Sequence, residues 1–250
     1  PYNLTTQEAK LTGFPYHDVL ARIRDTGQET EKGSRNDRPF VLVAPDFDLM
    51  HLGGLSENGL CTALEPNTPE INYLEMWLDI LGSHYFQQLT ELGVELKLLL
   101  PERLLLTCSE REKPVPAHIK FVSRDAMSPI TDLIPRCLAL LTDYSSLAFD
   151  AAFAQKPIIY LQRNDLVDDG VQFAIHSGWF DFEKDGLGPI AQTEEELGIA
   201  LSNLIEAKFQ LSKTYAERAQ RLFPYRSGGC CERIYAEIMH LHERQANSKS

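Results

Sequence analysis

Residues 138–150 read LALLTDYSSLAFD, an apolar run followed by a short polar turn and a second apolar segment. The run Leu138 to Thr142 predicts a buried strand, and Ser145 to Ala154 predicts a helix. The Asp-Tyr-Ser-Ser turn therefore lies where a strand passes directly into a helix. In a parallel α/β sheet this point belongs to the carboxyl edge, where open α/β folds bind their ligands.

Strands and helices alternate on both sides of this stretch. Further apolar runs of strand length are Phe40–Pro45, Val94–Leu100, Ile119–Val122 and Pro157–Leu161. Helical patterns span Tyr73–Leu92, Ile130–Ala139, Tyr215–Leu222 and Cys231–His242, and Thr193 with the glutamates after it opens another. This alternation predicts an α/β fold, a Rossmann-like parallel sheet with helices on both faces.

The remaining segments suggest how the chain is divided. Residues 1–38 are predicted to be a linker segment, extended at first, with a helical turn at Asp18–Leu20 and a polar loop over residues 25–38. Residues 39–244 are predicted to form the Rossmann-like domain, and the polar residues 245–250 a flexible tail.

The composition excludes several classes of protein. The 250 residues include 24 Lys+Arg and 36 Asp+Glu, a formal net charge of −12, and 43% are hydrophobic. This is enough apolar material for a core, and the acidic balance argues against a broad nucleic-acid-binding surface. No stretch approaches the ~20 apolar residues of a membrane span and no signal peptide is visible, so a cytoplasmic protein is expected. The five cysteines and seven histidines show no metal-ligand spacing, and the sequence indicates no cofactor.

The Asp-Tyr-Ser-Ser turn has the chemistry of a phosphate site. At the start of a helix, free backbone N–H groups and the positive end of the dipole would meet an anion beside the hydroxyls of Ser145 and Ser146. The alternative is that Asp143 or Ser145 only caps the helix. Residues 141–150 alone leave both interpretations open.

Several motifs in chain order carry a family resemblance. Thr12–Leu20 reads TGFPYHDVL, residues 142–166 contain TDYSS, FD, KPII and DL, and Phe223–Ile234 reads FPYRSGGCCERI. They resemble the T-G-x-P-R-x-D-x-L, I-T-D-Y-S-S…F-D…K-P-I-I…D-L and F-x-x-Y-x-D-G-x-x-x-x-R-I motifs of the CDP-glycerol glycerophosphotransferase family, which comprises teichoic-acid and capsule polymerases. Tyr16 stands where that family usually has Arg, and Ser227 where it usually has Asp.

The resemblance implies an architecture and an activity. The chain is similar to the C-terminal, donor-binding half of a GT-B enzyme, with the active site between two Rossmann-like halves. The implied reaction moves a glycerol-phosphate, or a related polyol- or sugar-phosphate, from a CDP-activated donor to a polymer acceptor such as teichoic acid or capsule. The implied partner is the N-terminal half or a separate chain carrying the acceptor site, with peripheral association at the inner face of the cell membrane.

The resemblance and the chemistry of pyrophosphate together suggest site residues. The expected donor phosphate-binding residues are Asp143, Tyr144, Ser145, Ser146, Arg226 and Arg233, since guanidinium groups make bidentate contacts with phosphate. Arg124 and Asp125 follow a predicted strand at the place of a GT-B base-binding loop and are nucleotide-binding candidates. The alternative for Arg233 is an ion pair on a helix surface.

Two departures from the family pattern keep other functions open. The family's second histidine, in an H-P dipeptide, would fall near Leu100-Pro101, where this chain has leucine. The family's W-H-G motif, with its catalytic histidine, belongs to the other half. The chain alone is therefore expected to be incomplete for catalysis. The alternatives are a degenerate, non-catalytic module that binds nucleotide or a partner, and half of a GT-B sugar-nucleotide glycosyltransferase.

Overall fold

A computed structural model describes residue 5 and residues 9–26, 38–47, 68–109, 115–124, 129–163 and 180–247. The strands in these ranges are β1 (Phe40–Ala44), β2 (Glu95–Leu100), β3 (Ile119–Ser123), β4 (Ala139–Thr142), β5 (Ile158–Leu161) and β6 (Ile190–Ala191). They form one parallel sheet in the order β3-β2-β1-β4-β5-β6. This is the order of a doubly wound, Rossmann-like sheet, and it confirms the predicted α/β class.

The helices in the described ranges alternate with the strands. They are α1 (His17–Thr26), α2 (Pro69–Leu81), α3 (Gln87–Glu91), α4 (Glu102–Ser109), α5 (Pro129–Arg136), α6 (Leu147–Phe153), α7 (Phe182–Asp185), α8 (Glu194–Glu206), α9 (Lys213–Leu222) and α10 (Cys230–Asn247). None of these helices is both long and apolar enough to cross a membrane.

Two apolar layers cover the two faces of the sheet. Val41 packs in one layer with Trp77, and α2, α3, α4 and α8 contribute to this layer. Leu42 packs in the opposite layer with Ile134, and α5, α6 and α9 contribute there. Because successive side chains of a strand point to opposite faces, β1 is buried at every position. The continuous apolar runs of the sequence follow from this burial on both sides.

Helix boundaries differ from the sequence prediction in several places. The helix predicted over Tyr73–Leu92 is α2 and α3, separated by Gly82, Ser83 and a short 3-10 turn at His84–Phe86. The α2 helix begins earlier than predicted, because the Thr68 side chain accepts the Ile71 N–H at 3.4 Å. The short elements α4, α7 and β6 were not predicted, since runs of two to eight residues give too few periods to recognise.

The N-terminal segment folds onto the domain. The helical turn predicted at Asp18–Leu20 is part of the longer helix α1, in which Leu20 and Ala21 pack against Phe153 of α6. At the other end of the chain, α10 continues to Asn247, into the segment predicted as a tail. The boundary placed at residue 38 stays a prediction.

Asp18 joins α1 to the start of α10. Its two carboxylate oxygens accept the backbone N–H groups of Cys230 at 2.8 Å and Cys231 at 2.9 Å. Burial raises the pKa of Asp18, but the N–H groups of Cys231 and Cys230 outweigh this effect and lower its pKa to about 2. Gly13 completes the junction: its φ is +81°, and any side chain there would collide with Sγ of Cys230.

We expect Asp18→Ala to lower the free energy of unfolding by about 1–2 kcal/mol near neutral pH, because the first N–H groups of α10 lose their acceptor. The pKa of Asp18 lies below its ordinary value of 3.8, so the stabilisation is complete above about pH 4 and is lost as the pH falls towards about 2. Urea denaturation followed by circular dichroism over this range measures both effects. Asp18→Asn, which keeps an acceptor, should lose less; an alanine variant as stable as the wild type near neutral pH would contradict the capping role.

Candidate functional site

The candidate site lies where the strand order of the sheet reverses. β1 and β4 are parallel neighbours at that point. The chain continues from β1 into Pro45–Phe47, and from β4 into Asp143–Ser146, which we call the 143–146 turn. In doubly wound folds, ligands bind in the crevice outside the carboxyl ends of the strands at this switch point. The turn singled out in the sequence therefore has the position expected of a ligand site.

Asp143 fixes the 143–146 turn to its surroundings. Its side chain is buried, and it accepts the backbone N–H of Asp46 at 3.0 and 3.2 Å. It also accepts the backbone N–H groups of Tyr144 at 2.6 Å and Ser145 at 3.3 Å. The Tyr73 hydroxyl of α2 donates to Oδ2 of the same carboxylate. A single side chain thus connects the segment after β1, the helix α2 and the turn itself.

The ionisation of Asp143 reflects its burial. Burial raises the pKa of Asp143 to about 7, against the lowering effect of the Tyr144 and Asp46 N–H groups. The nearby Asp46 carboxylate raises it further. Asp143 was predicted among the phosphate-binding residues, but its oxygens are occupied by protein donors and a carboxylate repels phosphate. Its geometry suits shaping the turn, and its assignment to the donor phosphates stays a prediction.

The two serines of the turn have different roles. The Ser145 hydroxyl accepts the Leu147 N–H at 3.3 Å, so the helix-capping alternative applies to this residue. Ser146 is exposed and precedes α6, and its side chain makes no capping hydrogen bond. The Ser146 hydroxyl is therefore available to a ligand without loss of a helix cap. In the same turn, the Tyr144 ring packs edge-on against Phe182, with ring centroids 6.0 Å apart.

Arg226 lies in the loop between α9 and α10. Its carbonyl accepts Nη2 of Arg24 at 2.8 Å, and Nη1 of Arg24 donates to the Phe153 carbonyl of α6 at 3.2 Å. The Nε atom of Arg226 is buried and has no hydrogen-bond partner among the described residues. Burial, with the positive charge of Arg24, lowers the pKa of Arg226. A buried guanidinium nitrogen without an acceptor has the donor that an anionic ligand needs.

Arg233 is engaged at the junction of the N-terminal segment and α10. Its Nε donates to the Thr12 carbonyl at 3.0 Å, and its Nη2 donates to Sγ of Cys230 at 3.2 Å. Its guanidinium also lies 4.1 Å from the centre of the Tyr225 ring. These contacts give Arg233 a structural role, and its assignment to the donor phosphates stays a prediction.

Arg124, the nucleotide-binding candidate that the structure describes, lies further along the same edge of the sheet. Arg124 follows β3, and its backbone N–H donates to the Leu100 carbonyl at 2.8 Å. β3 is separated from β1 by β2. Asp125 lies outside the described residues. The assignment of this pair to nucleotide binding stays a prediction.

A second buried carboxylate joins the N-terminal segment to α6. The Tyr16 hydroxyl donates to Oδ1 of Asp150 at 2.7 Å, and Nε2 of His17 lies 3.4 Å from the same oxygen. The His17 ring stacks on Phe153 at 4.1 Å. Burial and the hydrogen bond to Asp150 raise the pKa of Tyr16. Tyr16 stands where the family that this chain resembles usually has Arg, and here its hydroxyl forms the hydrogen bond with Asp150.

Sequence reasoning missed two residues that shape the site, Asp46 and Tyr73. They lie 97 and 70 residues before Asp143. Tyr73 was predicted only as the start of a helix, and Asp46 was not singled out. The signal in the sequence was the position of Asp143 directly after an apolar strand. A carboxylate buried at the end of such a strand needs hydrogen-bond donors from neighbouring segments. In the described ranges, no three His, Cys, Asp or Glu side chains form a group able to hold a metal ion.

Comparison with known proteins gives matches in sequence and in fold. Residues 1–240 match the family described as CDP-Glycerol:Poly(glycerophosphate) glycerophosphotransferase. The minor teichoic acid biosynthesis protein GgaB of Bacillus subtilis (strain 168) is 28% identical over 102 residues, 41% of this chain and 11% of that protein. The teichoic acid poly(glycerol phosphate) polymerase of the same strain is 26% identical over 95 residues, 38% of this chain and 12% of that protein.

The fold is similar to that of a solved structure, the wall teichoic acid polymerase TagF. The TM-score is 0.56 at 15% sequence identity, and the match covers 97% of this chain and 54% of that one. This chain therefore corresponds to about half of that structure, and its alignments cover 11% and 12% of the two curated relatives. The likeness to TagF concerns the fold.

We expect Asp143→Asn to make the stability of the chain less dependent on pH. In the wild type the folded pKa, about 7, lies above the ordinary value of 3.8, so ionisation of Asp143 opposes folding. As the pH rises from about 4 to about 7, the free energy of unfolding should therefore fall because Asp143 ionises. Asparagine cannot ionise, so the variant lacks this fall, and its amide oxygen still accepts N–H groups.

Urea denaturation of both proteins at about pH 5 and pH 8 measures this difference. Asp25→Asn is the control, because Asp25 is exposed, lies outside the site and has its pKa lowered by Arg24, so it titrates below this window. The prediction fails if the free energy of unfolding changes equally between the two pH values in the wild type and in Asp143→Asn. That result would show that Asp143 is already ionised in the folded protein at both pH values.

Proposed function

Because the chain belongs to the CDP-glycerol:poly(glycerophosphate) glycerophosphotransferase family, we propose that it binds the CDP-activated donor in a transferase that extends a cell-surface polymer. The observation that carries the proposal is the 143–146 turn: it lies at the switch point of the sheet, is held by Asp143 and exposes Ser146. The names of the relatives suggest that the unit is glycerol phosphate and the polymer teichoic acid. A related unit of capsule is the alternative.

The donor's pyrophosphate is proposed to sit against the 143–146 turn. The exposed Ser146 hydroxyl donates to a phosphate oxygen. The Ser146 backbone N–H adds a further donor, because Asp143 accepts only the N–H groups of Tyr144 and Ser145 within the turn. Arg226 is proposed as a cation contact for the same group, because its Nε has no hydrogen-bond partner among the described residues. Its carbonyl is joined through Arg24 to that of Phe153, at the end of α6 away from the turn, so this contact requires the side chain to extend towards the turn. Tyr144 and Ser145 position the turn through their contacts with Phe182 and Leu147.

The proposed chemistry is a displacement at the donor's β-phosphorus. A hydroxyl oxygen of the acceptor forms a new bond to that phosphorus, and the bond from the phosphorus to the bridging oxygen breaks. CMP leaves with the bridging oxygen, and the acceptor's proton passes to a general base. In this proposal the base and the acceptor site come from the other half of a GT-B enzyme, acting on the cytoplasmic side and at the inner face of the membrane.

One observation favours the second candidate, a donor-binding module without catalysis of its own. Leu100, where the family pattern would place a histidine, is fully buried in the core at the end of β2. This position supplies no acid or base. Both candidates predict that the purified chain, incubated with CDP-glycerol and acceptor, releases no CMP above background. Release of CMP would show that the chain itself holds catalytic groups and would contradict both.

We expect Ser146→Ala to weaken CDP binding by about tenfold, since a lost hydrogen bond to a charged group costs roughly 1.5–3 kcal/mol. Its melting temperature without ligand should change by only a few degrees, because the hydroxyl caps no helix. Calorimetric titration and thermal denaturation of one preparation measure both quantities. Titration with UDP and ADP tests the alternative of a sugar-nucleotide glycosyltransferase, since CDP should bind more tightly than either.

Ser145→Ala is the matched control. It removes the acceptor of the Leu147 N–H and should cost about 0.5–2 kcal/mol of stability. Its effect on CDP affinity should be the smaller of the two. A Ser146→Ala variant that melts much earlier yet binds CDP as the wild type does would make Ser146 structural and refute its place in the donor site.

A further inference from the structure

A pocket of about 170 Å³ lies between α7 and α9. Its lining residues are Phe180, Asp185, Arg218, Arg221 and Leu222. Ring contacts connect it to the turn: Phe180 packs edge-on against Phe182 at 5.2 Å, and Phe182 packs against Tyr144 at 6.0 Å. The pocket is thus two ring contacts away from the candidate donor site, and the proposed contacts of that site do not use it.

Arg218 is held in a fixed orientation at this pocket. Its Nη1 donates to the Gly186 carbonyl at 2.8 Å, and its guanidinium lies 5.6 Å from the centre of the Tyr215 ring. The hydrogen bond uses one of the five N–H donors of the guanidinium. The remaining donors are left for a ligand, and the group is oriented before the ligand arrives.

Arg221 lies on the same face of α9, one turn further along the helix. It is exposed and makes no hydrogen bond or ion pair within the described part of the chain. By contrast, Lys213 on the same helix pairs with Glu217 at 3.8 Å. Two guanidinium groups that share a helix face repel each other, and an anion bound between them would offset this electrostatic repulsion. Such a pair is notable in a chain of net charge −12.

Asp185 adds a different kind of group to the pocket. Its Oδ2 accepts the backbone N–H of Asp181 at 3.1 Å, which leaves Oδ1 as an acceptor for a hydroxyl. Phe180 and Leu222 provide apolar walls. The volume is below the roughly 300–1,000 Å³ of pockets for drug-sized ligands, so it suits a small ligand rather than a whole nucleotide.

We propose that this pocket binds one glycerol-phosphate unit. The arginine pair takes the phosphate, the Asp185 carboxylate accepts a polyol hydroxyl, and the apolar walls contact the carbon chain. The identity of the polyol rests on the proposed function. Two molecules carry this unit: the CDP-activated donor at its polyol end, and the acceptor polymer along its length.

Titration calorimetry of the whole chain with three probes tests the proposal. The probes are CDP, CDP-glycerol and a short oligo(glycerol phosphate). Arg221→Gln should weaken binding of the oligomer by about tenfold and leave CDP binding within about twofold. Arg218→Gln should act in the same direction, with Arg218→Lys retaining part of the affinity. Lys213→Gln is the matched control, with the same change of charge on the same helix outside the pocket, and should leave all three affinities unchanged.

The pattern of losses distinguishes the two sources of the unit. Weaker binding of both CDP-glycerol and the oligomer assigns the pocket to the donor's polyol end, and weaker binding of the oligomer alone assigns it to the acceptor. The proposal is overturned if the wild type binds neither, or if Arg221→Gln and Arg218→Gln bind both as the wild type does. A wild type that binds the oligomer through these arginines but does not bind CDP would refute the proposed donor site and leave the pocket standing.

Discussion

The buried carboxylate of Asp143 is the contact on which the candidate site depends. Only 1% of the residue is exposed, and its oxygens accept hydrogen bonds from the segment after β1, from Tyr73 of α2 and from its own turn. A carboxylate is costly to bury unless its lone pairs are satisfied, so these three segments must keep their relative positions. The consequence is a rigid turn at the switch point of the sheet, with Ser146 on its outer side.

Side-chain hydrogen bonds also hold the N-terminal segment on the domain. Asp150 accepts the Tyr16 hydroxyl, Asp18 caps α10, and Arg233 binds the Thr12 carbonyl. These contacts join all three motifs that suggested the family: Thr12–Leu20, residues 142–166 and Phe223–Ile234. Within those motifs the structure separates two kinds of residue, those that fasten segments and those, such as Ser146, whose polar group is left for a ligand.

The fold could be predicted from the sequence because β1, β4 and β5 are apolar at nearly every position, as burial on both faces of a parallel sheet requires. The position of the turn followed from the same strands. The partners of Asp143 could not be predicted, because spacing along the chain carries no information about contacts 70 and 97 residues apart. Arg233 shows a related limit: a guanidinium can also bind a carbonyl, a sulfur atom or an aromatic ring, so an arginine in a motif does not by itself indicate a phosphate.

The most direct measurement is a crystal structure of the chain with CDP-glycerol. The account predicts that the pyrophosphate lies against the 143–146 turn, with a phosphate oxygen within hydrogen-bond distance of Oγ of Ser146. Asp143 should remain buried and keep its hydrogen bonds with Asp46 and Tyr73. A nucleotide bound with its phosphates away from this turn, and with Ser146 out of contact, would contradict it.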